Sequence, residues 1–203
     1  NDAGAGSLRQ AVADAAAGDT INFQSGLGVI TLTSGQITID KSLTITGPAT
    51  IDGNANERIF LVDDGVPGTL SDVRLNKLTL RNGALVWVAP VPTTELSGGA
   101  ISSSENLTVD HCNLSNNWVC CDGGAIFQTG GALEVSNSFI LNNHALDGGG
   151  IMVWNGACSI RDSEISGNDA ATGGGVQMWN CADVSMTKTK VSGNEAGAVG
   201  GVY

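Results

Sequence analysis

The sequence predicts an all-β fold: a single-stranded parallel β-helix of about 25 residues per coil with a short N-terminal capping helix. Three observations predict it. Glycine clusters recur as Gly98-Gly99-Ala100-Ile101, Gly123-Gly124-Ala125-Ile126, Gly148-Gly149-Gly150-Ile151 and Gly173-Gly174-Gly175-Val176, each 25 residues after the last; Gly200-Gly201-Val202 follows one residue late. Each of the first four is answered by an asparagine, Asn117, Asn143, Asn168 and Asn194, three residues after the aliphatics Leu114, Ile140, Ile165 and Val191. Between these markers apolar residues alternate, Leu107 with Val109, Leu133 with Val135, Val184 with Met186, which is strand periodicity and not helical spacing.

The elements follow in order along one domain, 1–203. Residues 1–20 form the cap. In SLRQAVADAAAG, Ser7 suits the helix N-cap, Leu8, Val12 and Ala15 share a face, and Gly18 suits the exit. A helix laid across the first rung covers an edge that would otherwise invite pairing with another chain. Residues 21–82 are less regular first coils, in which VITLTSG, QITID, SLTITG, ATIDGN, RIFLV and VRLNKLTL each alternate. An inserted loop occupies 83–97, and the regular coils run over 98–203. The closing EAGAVGGVY begins another rung, so the C-terminal end is expected to be uncapped. Roughly seven rungs result, each climbing about 4.8 Å.

In such a coil, side chains one period apart lie above one another. Cys112, Ser138, Ser163 and Thr189 then make a column of small inward residues, and Leu114, Ile140, Ile165 and Val191 an aliphatic stack. The asparagines are expected to adopt left-handed backbone at a corner and to form an amide ladder along the axis. Glycine pairs remove Cβ atoms where the corner turns tightly.

Composition narrows the function classes. Twenty-nine glycines against four prolines suit many tight turns between short strands. A net charge of −11 with only nine Lys and Arg argues against nucleic acid, because no basic cluster exists to displace counterions. No apolar run approaches about 20 residues, so direct membrane insertion is not expected. Five cysteines leave at least one thiol unpaired within the chain. A disulfide from Cys112 to Cys120 or Cys121 fits an exported protein; Cys112 and Cys158 equally suit buried apolar filler. No metal or cofactor is expected: the Gly-Gly-x-Gly-x-Asp repeat is absent, and Asp122 over Asp147 is too thin a column for calcium.

Function on a solenoid concentrates where the repeat breaks. The largest break, ALVWVAPVPTTELS, carries Trp87, Val88, Pro90 and Val91, and the next corner carries Trp118, Val119, Cys120, Cys121 and Asp122. The two should touch. The residues after the asparagines are Trp118, His144, Asp169 and Glu195, with Asp122 and Asp147 before their glycine pairs. The expected binding ridge is therefore Trp87, Trp118, Asp122, His144, Asp147 and Asp169, in which tryptophan faces stack on sugar rings or grip a protein between acidic acceptors. A purely structural alternative packs Trp87 on Trp118 to pin the loop and leaves His144 as a solvated turn residue. Trp154 and Trp179, one period apart, are expected to stack on each other, and Glu164 to pair with Lys190 across rungs.

The GG-A-aliphatic and aliphatic-x-x-Asn motifs, and the opening NDAGAGSLRQAVADAAAGDTINF, resemble the right-handed β-helix repeats of bacterial surface proteins, of the polymorphic outer-membrane protein type. Here Leu, Ile or Val stands where that family's motif has Phe. The resemblance implies surface display and adhesion, with a membrane anchor elsewhere.

These observations lead to an extracellular or bacterial cell-surface structural or adhesive module that binds a glycan or surface protein. One competing expectation is a polysaccharide lyase or glycoside hydrolase using Arg161, Asp162 and Lys188. No Gly-His-Gly turn supports it, and no second carboxylate lies in the columns beside Asp162 and Glu164. Another is end-to-end self-association through the C-terminal coil.

Overall fold

In a computed structural model the chain forms a parallel β-solenoid of about six turns, each of about 26 residues, with one short helix at the N-terminus. The structure describes residues 2–85 and 96–202. The helix, Leu8–Asp14, is capped as expected: the Ser7 hydroxyl accepts from the Gln10 amide at 3.1 Å. Its buried residues, Leu8 and Val12, join the core, with Ala15 packed beside it. Asp2 fastens this cap to the first turn. Its carboxylate accepts from the Thr33 and Ser34 amides and pairs with Arg9 at 3.0 Å.

All strand pairings are parallel, and three faces wrap the core. One face stacks Asn106–Asp110, Ala132–Ser136, Ala157–Arg161 and Val184–Thr187. A second stacks Asn113–Ser115, Phe139–Leu141, Glu164–Ser166 and Lys190–Ser192. Asp72–Arg81 runs through the corner and belongs to both, joining them into a twelve-stranded sheet. The third face has six strands, Ile37–Ile39, Phe60–Val62, Ile101–Ser103, Ile126–Thr129, Ile151–Trp154 and Val176–Trp179. SLTITG and ATIDGN lie on one turn and form a single strand: Leu43–Asp52 is continuous through both, with a register shift between Thr46 and Ala49.

Register places each residue of the aliphatic column on its counterpart: Leu80, Leu114, Ile140, Ile165 and Val191 pair in sequence. All but Val191 are fully buried, whereas Phe139, one residue from Ile140, is 49% exposed. The small-residue column is also inward. The Ser138 hydroxyl accepts from the Cys112 amide at 3.0 Å, and the Ser163 hydroxyl accepts from the Ser138 amide at 3.1 Å. These side chains give backbone donors at the corner a partner inside the coil.

The asparagine ladder is present, but with a division of labour that differs from the expectation. Asn143 Oδ1 accepts from both the backbone and side-chain N–H of Asn117, each at 2.9 Å. Asn168 Oδ1 does the same for Asn143, and Asn194 Oδ1 for Asn168. The second side-chain hydrogen of each amide goes to a carbonyl of the aliphatic column, Leu114 for Asn143 and Ile140 for Asn168. Left-handed backbone belongs instead to the residue before each asparagine: Asn116 (φ 56), Asn142 (φ 54), Gly167 (φ 67) and Gly193 (φ 61). The corner residue turns the chain, and the next one turns its amide inward.

The glycine pairs divide their labour too. Gly123 has φ 68, a region costly for a side chain. Gly124 is needed for a different reason, because a Cβ there would strike the Gly149 carbonyl and the His144 backbone of the next turn.

A polar hub ties successive turns on the outer face. Asp110 pairs with Arg74 at 2.6 Å and accepts from the Ser136 hydroxyl and the Asn137 amide group. Burial opposes its ionisation, but the bonds from Asn137 and Ser136 and the charges of His111 and Arg74 outweigh this and hold it down to about 2.

Removal of a buried side chain from a stacked column leaves a void that neither neighbour can fill. Ile140→Ala should therefore lower the unfolding free energy by about 2–5 kcal/mol in urea titrations, while Phe139→Ala changes it by far less.

Candidate functional site

The expected ridge lies along one corner of the solenoid, where each turn leaves its asparagine and returns to its glycine pair. Trp118, His144, Asp169 and Glu195 pair in register as one column on successive turns. The Trp118 and His144 rings are stacked, with centroids 6.2 Å apart and planes within 6°. His144 Nδ1 lies 2.8 Å from Asp169 Oδ2. His144 is thus held between a ring and a carboxylate, and its side chain remains exposed to solvent. Trp118 is 37% exposed, so part of its surface faces solvent.

Asp122, Asp147 and Thr172 form a second column at the other end of the same corner segments. Burial, and then the nearby charge of Asp147, push the Asp122 carboxyl above its ordinary range, opposed by the Ser97 hydroxyl. Between the columns the inward residues Val119, Ala145 and Ala170 are buried.

Within the segment expected as the inserted loop, 83–97, Ala84–Leu85 is strand. It pairs with Trp118–Val119, so the last described residues before the break lie on the turn next to the one that carries Trp118. Trp87, with Val88, Pro90 and Val91, lies outside the described residues.

Corner segments differ in length by one residue: Trp118-Val119-Cys120-Cys121-Asp122 is followed by His144-Ala145-Leu146-Asp147 and Asp169-Ala170-Ala171-Thr172. The Leu146 and Asp147 amides both donate to the Cys121 carbonyl, and the Ala171 and Thr172 amides both donate to that of Leu146. Cys121 is therefore the counterpart of Leu146. Cys120 is the extra residue, a bulge.

Of the two readings of Cys112, a disulfide to Cys120 or Cys121 does not form, and all five cysteines are free. Cys112 is interior, with its Sγ donating to the Leu75 and Asp110 carbonyls, and Cys158 is likewise buried, which fits both as core filler. Burial pushes the Cys112 thiol up to about 11 and, with Cys181 nearby, that of Cys158 to about 12.

Other expectations fare differently. Lys190 Nζ meets Glu164 Oε1 at 2.8 Å, as expected for an exposed cross-rung pair. Trp154 and Trp179 pair in register, yet the one ring stack among the described residues is Trp118 on His144. Of the expected catalytic trio, Arg161 ends the strand Ala157–Arg161, while Asp162 (φ 51) and Lys188 (φ 48) have left-handed backbone at the corner, and Arg161 Nη1 is 3.7 Å from Asp162. At that separation, with both partners more than a third exposed, the contact is a weak surface pair.

Two features lay beyond the sequence reading. A cavity of about 440 Å³ opens on the outer surface of the six-stranded face, lined by Arg58, Leu61, Ser102, Phe127, Thr129 and Trp154. Its residues come from four turns, and only the column Ser102–Phe127 hinted at it, through register. Asp63, Asp64 and Glu105 bring three carboxylates within 4.8 Å of one another. Their oxygens accept from loop groups, Glu105 from the Asp64 and Ser71 amides, Asp63 from Gly65 and Asp64 from Val66, so they shape the segment 63–71.

Among the described residues no helix is long and apolar enough to cross a membrane. No protein-family model matches the chain, and neither a curated protein nor a solved structure matches it.

The raised carboxyl of Asp122 makes its ionised form unfavourable in the folded state. At neutral pH this lowers stability, and as pH falls the folded state takes up the proton before the unfolded chain does, so the penalty fades. Asp122→Asn should therefore raise the urea midpoint near pH 7, and the gain should disappear toward the ordinary Asp value of 3.8.

Proposed function

We propose that the chain is an extracellular or bacterial cell-surface adhesive module, of the polymorphic outer-membrane protein type, that binds a glycan or surface protein through the Trp118–His144–Asp169 ridge. The observation that carries this reading is the Trp118 ring, partly exposed and braced against His144, which is itself fixed by Asp169. A ring already held in place loses little conformational freedom on binding, and its face is complementary to the C–H surface of a sugar. Asp169, Glu195, Asp147 and Asp122 flank it with acceptors for hydroxyl or amine donors. The net charge of −11 disfavours polyanionic glycans, so neutral or amine-bearing sugars suit the surface better.

A second contact, end-to-end self-association through the C-terminal coil, draws on the exposed apolar residues Val184 (51%) and Val202 (41%) of the last described strands and bridges. It is compatible with the ridge, since it uses the end of the rod and leaves the flank free.

Glycan and surface-protein arrays probed with the full chain test the ridge. Trp118→Ala should weaken retention about tenfold or more, while Trp154→Ala, on a different face, should leave it unchanged. Undiminished retention by Trp118→Ala, with the fold intact by circular dichroism, would remove the ridge from consideration.

A further inference from the structure

We propose that Cys120 and Cys121 are a redox-active vicinal dithiol that closes to a disulfide by exchange with a low-molecular-weight disulfide.

Along regular strand, neighbouring side chains point to opposite faces, so adjacent cysteines would hold their sulfurs apart. The bulge removes that constraint. Cys120 has no counterpart in the next turn, and the two Sγ atoms lie 3.3 Å apart. Closure to a disulfide requires an approach of roughly 1.3 Å, to about 2 Å. Both residues are partly exposed, and Leu146, the counterpart of Cys121, is 53% exposed, so this position faces the outside of the coil. The other cysteines are held differently: Cys112 and Cys158 are buried, and the Cys181 Sγ donates to the Val153 and Trp179 carbonyls.

The backbone allows the ring to form. Its twist falls on the single peptide between the two residues, inside the bulge, and on the peptide just before it the Cys120 amide makes only a long bond of 3.4 Å to the Leu85 carbonyl. The firm tie is on the other side, at the Cys121 carbonyl, which accepts from Leu146 at 2.7 Å. Cys121 can thus stay in register while Cys120 moves.

In the first step the Cys120 thiol gives its proton to solvent, and its thiolate attacks one sulfur of the small disulfide. The S–S bond of the reagent breaks, a mixed disulfide forms on Cys120, and one small thiolate leaves. Burial and the adjacent Cys120 push the Cys121 thiol up to about 12, which makes it the poorer first attacker. In the second step Cys121 loses its proton and attacks the Cys120 sulfur, expelling the second small thiolate. The protein has lost two electrons and two protons, and the reagent has become two thiols.

Fully reduced protein, freed of reductant, is incubated with glutathione disulfide, alkylated in denaturant and mapped by mass spectrometry. The expected result is one peptide, carrying Cys120 and Cys121, that has lost two hydrogens, carries no glutathione and resists alkylation, while Cys112 and Cys158 are alkylated fully. Cys121→Ser should instead keep glutathione on Cys120. As a check independent of any variant, reduced wild type should bind one phenylarsine oxide per chain and lose that capacity after oxidation. Persistent glutathione on the wild-type pair, full alkylation of both residues, or loss of hydrogens at another cysteine pair would overturn the proposal.

Discussion

Stacking one turn on the next at a single strand spacing means that every polar group turned inward must find its partner along the axis. Water is excluded there, and an unpaired backbone amide is destabilising by about 1–3 kcal/mol. The asparagine ladder answers this requirement. The amide oxygens of Asn143, Asn168 and Asn194 each receive two donors from the turn before, and the amide nitrogens of Asn117, Asn143 and Asn168 each supply the next oxygen and a carbonyl of the aliphatic column. Because Asn117, Asn143 and Asn168 are within 1% of full burial, the ladder runs inside the core, beside Leu114, Ile140 and Ile165. The bonded register fixes those three residues as a pile, and the pile fixes how one turn sits on its neighbour.

The same rigidity explains why chemistry gathers at one corner. Residues between an asparagine and the following glycine pair leave the ladder and return to it at fixed points, so an extra residue there disturbs nothing inside. The chain uses this freedom at Cys120, and again where the inserted segment leaves after Leu85. Trp118 stands on the turn that carries the bulge, directly beside the preceding turn from which the inserted segment leaves. Its inward neighbour Val119 is fully buried, which anchors the segment while the tryptophan projects outward. Surface placement and adhesion remain proposals built on this geometry.

Much of the architecture was legible because two chemically different markers, glycine pair and asparagine, kept the same period over four turns. The left-handed corner was misassigned by one residue, although the signal existed: positions 116, 142, 167 and 193 are Asn, Asn, Gly and Gly, the residues most tolerant of positive φ. The continuity of Leu43–Asp52 was harder to see, since alternation lapses at Gly47-Pro48, where the strand rounds the corner and its register shifts. At the site, register placed His144 above Trp118, but its ring stacking and its bond to Asp169 depend on side-chain torsions that no spacing reveals. Spacing alone does not mark Cys120 and Cys121 as a pair, because adjacent residues of a regular strand hold their side chains apart. Recognition of the bulge needs both neighbouring turns, aligned by their hydrogen bonds.

The central claim is that the asparagines form a dry, continuous ladder within the core. Hydrogen exchange followed by NMR tests it at the side-chain amides, comparing Asn117, Asn143 and Asn168 with the exposed Asn116 and Asn142 of the same corners. Protection of the first three approaching that of the most stable core amides, with rapid exchange at the other two, is the predicted result. Exchange of Asn143 as fast as that of Asn142 would contradict it.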